Sequence, residues 1–193
     1  MGPLALKLEE TYTYGDYLQW DDGERWELID GVAYNMTPAP NRRHQAILRE
    51  LSFQLVSFLT DKPCKVYFAP FDVRLPVHAE EDDDVTTVVQ PDIVVICDPK
   101  KLDDRGARGA PDLVIEILSP STSRKDVKIK FNLYEKHGVR EYWIVDPTGG
   151  TVMAYRLGPD GRYGRPQVYT DDDSAPVGIF VDLVIDLKAV FAE

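Results

Sequence analysis

Two stretches of the chain space their apolar residues for a helix, and most of the remainder reads as the short runs of β-strands. From Asn41 to about Leu59, the residues Ile47, Leu48, Leu51, Leu55, Val56, Phe58 and Leu59 recur at helical intervals. A second helix is predicted from about Ser123 to His137, where Gly138 stops it. Thr13 can cap a short helix ending near Leu18, with Asp16 in the capping-box position. Strands are predicted in RWELIDGVAYNM, where Asp30-Gly31 between two apolar runs marks a hairpin, and in CKVYFA and FDVRL around Pro70. Further strands fall in TTVVQPDIVVICDP, in PDLVIEILSPST and in EYWIVDP, with a loop rich in Lys, Arg and Gly over 100–110. The tail alternates strands at 151–157, 162–170 and 180–184 with turns at Gly149-Gly150 and Pro159-Asp160-Gly161, then closes with a short helix after Asp186. This order predicts an α/β (α+β) fold, a mixed β-sheet flanked by helices with extra β-hairpins, in a single domain over 1–193. The helical crossover between 113–118 and 141–146 predicts parallel, neighbouring strands.

One residue breaks the strand pattern. Glu116 sits inside the apolar run Leu113, Val114, Ile115, Ile117 and Leu118, and a carboxylate removed from water needs a positive or hydrogen-bonding partner. Two Pro-Asp pairs offer company for it, Pro91-Asp92 and Pro111-Asp112. Asp112 shares a strand face with Glu116, but four residues at roughly 3.3 Å each hold the two about 13 Å apart, too far to grip one ion. Asp92 opens a separate strand, and the 24 positions up to Glu116 leave room for a loop and a return on a neighbour about 4.8 Å away. Carboxylates so placed can converge on one hard cation, or Asp92 can cap a turn while Glu116 finds a hydrogen bond in the core. At 100° per residue, Val127, Phe131, Leu133 and Tyr134 cover one side of the second helix with Lys130 near its middle. Lys130 is thus the lysine aimed inward, where it can snorkel to water or lower the burial cost of both acids.

Composition narrows the class. The 193 residues, 44% hydrophobic and 10% aromatic, are enough for one soluble core. No run approaches the roughly 18–20 apolar residues of a membrane span, and MGPLALKLEE lacks a signal pattern, which predicts a cytoplasmic protein with no membrane partner. Cys64 and Cys97 lie in apolar, strand-like surroundings and read as buried thiols rather than as a disulfide. A net charge of −11 argues against generic, charge-driven nucleic-acid binding. Eight acids, however, fall in two blocks that read as solvated loops, Glu80-Glu81-Asp82-Asp83-Asp84 and Asp171-Asp172-Asp173; outside them 25 acidic residues face 22 basic ones. A locally positive groove is compatible with that balance. The aromatic group Tyr12, Tyr14, Tyr17 and Trp20 reads as packing for the terminal helix, and one of Tyr142 and Trp143 is expected to face the core.

Pro91-Asp92, a long gap and an acid within an apolar strand resemble the PD-(D/E)xK nuclease superfamily with its restriction-endonuclease-like core. More narrowly, ELIDG, PAPNRRHQ, PDIVV, PDLVIEILSPST and DVKIKFNLYEKHGVREYWIVDP resemble a bacterial branch, abundant in cyanobacteria, described as "putative restriction endonucleases". The likeness runs from about Tyr12 to Leu187. It implies metal-dependent endonuclease hydrolysis of nucleic-acid phosphodiesters, DNA in preference to RNA, with Asp92, Glu116 and the Ile117 carbonyl holding Mg²⁺ or Mn²⁺. The superfamily lysine normally sits two residues after the acid, where this chain has Leu118; the branch pattern Asp126-x-x-x-Lys130-x-x-x-Tyr134 moves it to the helix and makes Lys130 catalytic. Glu27 and His44 match recurrent branch positions, although an exposed hairpin glutamate and a helix-end histidine are also ordinary. Ser119, Ser121 and Thr122 can contact phosphate or cap the helix. The resemblance further implies a homodimer. Two rival readings remain, a degenerate nuclease fold that binds without turnover and a subunit whose acidic loops meet a basic partner.

Overall fold

The computed structural model describes residues 11–36, 40–119 and 124–192, the side chains of 124–126 excepted. In chain order it forms α1 (Tyr14–Tyr17), β1 (Trp26–Ile29), β2 (Val32–Asn35), α2 (Arg42–Leu59), β3 (Lys65–Phe68), β4 (Val73–Arg74), β5 (Val88–Val89), β6 (Ile93–Ile96), β7 (Leu102–Asp103) and β8 (Gly106–Arg108). After these come β9 (Leu113–Ile117), α3 (Arg124–His137), β10 (Glu141–Asp146), β11 (Thr151–Arg156), β12 (Gln167–Thr170), β13 (Ser174–Pro176), β14 (Val184–Asp186) and α4 (Leu187–Phe191).

Among the described residues the strands build two larger mixed sheets. The central one runs β12-β11-β10-β9-β6-β3, and the second runs β2-β1-β5-β4-β8-β7. β9 and β10 pair in parallel across the α3 crossover, while β6 meets β9 antiparallel. α2 covers one face of the central sheet through Ile47, Leu51, Leu55 and Leu59, packed with Ile93, Val95, Ile115, Trp143 and the C-terminal residues Val190 and Phe191. The opposite face, with Val94, Ile96, Val114, Tyr142 and Ile144, packs on Leu133 and Tyr134 of α3 and on Val73 and Val89 of the second sheet. Both Tyr142 and Trp143 are therefore buried, on opposite faces, because successive strand residues alternate.

Local signals explain most of the elements. Asp30 (φ 48°) and Gly31 (φ 78°) form the two-residue β1–β2 turn, whose central residues both need positive φ. Asn41 caps α2 by accepting a hydrogen bond from the His44 N–H at 2.9 Å, and Asp186 caps α4 through the Lys188 and Ala189 N–H groups. Thr13 and Asp16 complete the predicted capping box, and Tyr14 packs there with Trp26 and Leu28, with Tyr12, Tyr17 and Trp20 against them. The segment VVQPDIVVI is divided by its proline. β5 before it belongs to the second sheet and β6 after it to the central sheet, so Gln90-Pro91-Asp92 is where the chain crosses between them.

Four expectations need correction. Cys64 and Cys97 are joined in a disulfide. The register that pairs Lys65 with Ile96 sets the preceding and following residues opposite one another, a long-range fact absent from the local pattern. The segment 100–110 holds the β7–β8 hairpin, whose parallel partner is β4. In the tail, the expected 180–184 strand lies at 184–186 and pairs with an unexpected strand at 174–176. The acidic block 80–84 is tied inward: Asp82 meets Arg74, Arg105 and Arg108, while Glu80 accepts from the Val77 and His78 N–H groups.

Arg74 is fully buried, with both Asp103 oxygens accepting from its Nη2 at 2.7 Å and the Ala107 carbonyl and Asp82 taking further donors. A guanidinium that deep depends on its anions far more than an exposed cation does. Asp82→Ala is accordingly expected to lower stability by about 1–2 kcal/mol, whereas Asp83→Ala, whose described ion pair is with the exposed Arg105, stays within about 0.5 kcal/mol. Denaturant midpoints of the two variants check this; equal losses would contradict it.

Candidate active site

The junction between the two sheets collects charged side chains from β1, α2, β9 and α3 and from the crossing segment before β6. Glu116, on β9, shares the strand face of Val114 and therefore points toward α3, where Lys130 Nζ donates to its Oε1 at 2.9 Å and Tyr134 Oη at 2.6 Å. Lys130 also donates to Glu27 Oε1 at 2.9 Å, so one ammonium bridges β1 of the second sheet and β9 of the central sheet. Glu27 Oε1 accepts the Gln90 backbone N–H at 2.8 Å as well. The three side chains keep only 6% (Glu27), 14% (Glu116) and 16% (Lys130) of their exposure.

Asp92 enters from the other side of Glu116. The β6–β9 register pairs Ile93 with Ile115, and one step beyond it Asp92 lies opposite Glu116. Asp92 Oδ2 accepts the Ile117 N–H at 2.8 Å and approaches His44 Nε2 at 3.2 Å. The carboxylate makes Nε2 the protonated nitrogen of His44, while Nδ1 is buried with no partner among the described residues. His44 reaches Asp92 because its place in the first turn of α2 turns it toward the sheet.

Electrostatics follow burial. Glu116 is pushed up to about 7 by its removal from water, an effect that Lys130 opposes and the charges of Asp92 and Glu27 reinforce. For Lys130, burial favours the neutral form, but Glu116 and Glu27 outweigh it and hold the ammonium above its ordinary value. Burial likewise works against charge on His44, and the hydrogen bond to Asp92 with the charges of Asp92 and Glu116 reverses the balance, leaving its pKa raised. Burial and the charge of Glu116 push Tyr134 well up, which keeps its hydroxyl a donor.

Asp92, Glu116, Lys130, Glu27 and His44 thus meet at this junction, and Ile117 contributes its N–H to Asp92. Glu27 is buried, so the reading of an exposed hairpin glutamate is set aside. Its signal was legible, since WELI encloses an acid in an apolar run just as VIEIL does. Tyr134 and Gln90 were not marked as site residues. Asp112 stays away from the junction, as expected, and accepts the Cys97 N–H and an Arg140 guanidinium N–H instead. Ser121, Thr122 and the Asp126 side chain lie outside the described residues.

Residues 14–188 match the family profile Uma2, described as "Putative restriction endonuclease". The chain belongs to that family. That membership agrees with the PD-(D/E)xK-like branch that the sequence resembles. Over 151 residues the chain is 28% identical to "Uncharacterized protein slr1290" of Synechocystis sp., across 77% of this chain and 75% of that one. The crystal structure of "a putative nuclease belonging to DUF820" from Anabaena variabilis superposes with a TM-score of 0.74 at 24% identity, covering 93% of this chain and 97% of the other. That similarity shows the fold alone, a mixed α/β core.

Deleting the bridging cation exposes how the acids are held. Because Glu116 has a folded pKa above its unfolded value, its contribution to stability is present in acid and lost as pH climbs from the ordinary carboxyl range through about 7. Lys130→Met removes the one cation shared by Glu27 and Glu116, and steepens that loss. We expect about 3–5 kcal/mol of destabilisation at pH 8 and distinctly less at pH 5, measured by denaturant unfolding without divalent ions. A loss of equal size at both pH values would refute the electrostatic account.

Proposed function

We propose that this chain is a divalent-metal-dependent endonuclease that hydrolyses nucleic-acid phosphodiester bonds, with DNA as its substrate. The reading rests on one observation, the convergence of Glu27, Asp92, Glu116 and Lys130 where the two sheets part. Family membership supports the same reaction class.

The donor set suits Mg²⁺ or Mn²⁺. Asp92 uses Oδ2 and Glu116 uses Oε1 for their described hydrogen bonds, so Oδ1 and Oε2 stay outside that network among the described residues. Among the described residues no group of three His, Cys, Asp or Glu side chains is placed to hold one ion by itself. Two carboxylates, with the Ile117 carbonyl as a third oxygen, match a small hard cation that keeps water and substrate oxygens in its remaining positions. When bound, such an ion supplies an acidified water and charge neutralisation at the phosphate.

The chain's own groups do the rest. Lys130 has three N–H donors, two of them engaged by Glu27 and Glu116, which leaves one for a water or for the charge that develops on the phosphate. Glu27 serves as a positioning residue that keeps the ammonium from swinging to solvent. Tyr134 fixes the Glu116 carboxylate, and His44 holds Asp92 while keeping a titratable ring at the α2 end of the site. Cutting both strands of a duplex takes two such sites, so the proposal includes a homodimer.

Purified protein incubated with plasmid and with single-stranded DNA should cleave in Mg²⁺ or Mn²⁺ and stop with chelator. Asp92→Ala, Glu116→Ala and Lys130→Ala should each lower the rate by at least about 10²-fold. Cleavage that ignores chelator, or survives in all three variants, would sink the mechanism.

A further inference from the structure

Arg25 is half-buried beside this junction and its guanidinium faces no acid. Its Nε and Nη2 donate to the side-chain oxygen of Gln90 at 3.2 and 2.8 Å, a neutral acceptor, and among the described residues no carboxylate lies within ion-pair distance. That is unexpected in a chain with 33 acidic residues against 22 basic ones. The inward-facing arginines Arg74 and Arg108 both meet carboxylates. Taking a guanidinium partly out of water with only an amide to meet it leaves much of its charge uncompensated.

The placement is specific. The Met36 N–H donates to the Arg25 carbonyl at 2.8 Å, which carries the β1–β2 register one pair past Trp26 and Asn35. Arg25 and Glu27 therefore project from the same strand face, about 6.8 Å apart along it. Gln90 ties them together, because its side chain holds Arg25 while its backbone N–H donates to Glu27, the partner of Lys130. The Gln90 amide nitrogen is itself fixed by Tyr17 and Asp72, so the oxygen presented to Arg25 cannot turn away cheaply. With Nε and one Nη2 hydrogen engaged, three of the five guanidinium N–H donors are left in a fixed plane. An oriented, uncompensated guanidinium next to an acidic catalytic cluster matches a phosphate oxygen pair.

We propose that Arg25 binds a backbone phosphate of the nucleic-acid substrate next to the bond that is cut, oriented for that contact by Gln90. This rests on the nuclease reading and deepens it, by assigning the substrate a phosphate contact on the β1 side of the site. The Arg25–Gln90 pair thus acts as a fixed clamp that sets the register of the strand against Glu116 and Lys130, without reading its sequence.

Equilibrium binding of a fluorescently labelled oligonucleotide, in chelator and over a salt series, tests it with wild type, Arg25→Met and Arg25→Lys. Wild type should bind with a salt-dependent affinity. Arg25→Met should bind about tenfold more weakly at low salt, uniformly across sequences, with the slope of log affinity against log salt reduced by about 0.7–0.9. Arg25→Lys should restore the slope but only part of the affinity, since it keeps the charge and loses the fork. Equal thermal midpoints for the three proteins show that the fold is intact, and the lysine variant distinguishes charge from scaffold if the methionine variant is destabilised. An Arg25→Met slope equal to that of a wild type that binds would overturn this inference alone. A wild type that neither binds nor cleaves would overturn the nuclease reading and this inference with it.

Discussion

A buried ammonium shared by two carboxylates from different sheets is the constraint on which the site depends. Lys130 is delivered by α3, Glu116 by the central sheet and Glu27 by the second sheet, so their two 2.9 Å contacts are satisfied together only when all three elements are docked. Each charge alone would cost several kcal/mol to bury. Grouped, they make the junction specific about how its layers sit, because sliding α3 by one turn would move Lys130 into the place of Tyr134, against Tyr142 and away from both carboxylates. Tyr134, one turn beyond Lys130, secures the same arrangement from α3.

The two Pro-Asp pairs reveal why the acids stand where they do. Asp92 precedes β6 and accepts the N–H of Ile117, the last residue of β9; Asp112 precedes β9 and accepts the N–H just past the end of β6, at Cys97. Both bonds are 2.8 Å, and they close opposite ends of one antiparallel ladder. Proline before each acid suits a strand start, where the chain is extended and no ladder donor is needed. The clamp is thus a structural device used twice. What separates the ends is their company: Asp112 faces exposed Arg140, while Asp92 faces His44, Glu116 and the sheet junction.

Local pattern carried the elements and the core of the site a long way. An acid in an apolar run and a lysine on an apolar helix side are both period arguments, and Glu116 and Lys130 meet as that geometry requires. Glu27 displays the same signal, yet a hairpin position alone does not tell a buried glutamate from an exposed one; here its strand is enclosed by α1 on one face and the central sheet's layer on the other. The Cys64–Cys97 pairing, the ties of Asp82 to Arg105 and Arg108 and the contact of Arg25 with Gln90 all depend on register between segments distant in sequence. Periodicity within one segment holds no information about that. The exchange of sheets at Pro91 was equally hidden, since a proline between two apolar runs reads as a break without saying where each half goes.

The titration of Glu116 links the architecture to what the site can hold. Three carboxylates, Glu27, Asp92 and Glu116, stand against one ammonium and an imidazole, so negative charge is left over even with His44 protonated. Burial first, and the charges of Asp92 and Glu27 with it, raise Glu116 to about 7, where a proton offsets the excess. A proton and a divalent cation would compete for the same carboxylate, so occupancy by either is linked to pH near neutrality. Lys130 cannot fill the role, being already counted in the balance. The excess charge is therefore a structural reason for the site to take a cation, independent of any likeness to other chains, and it arises from the same burial that fixes Lys130 between the sheets.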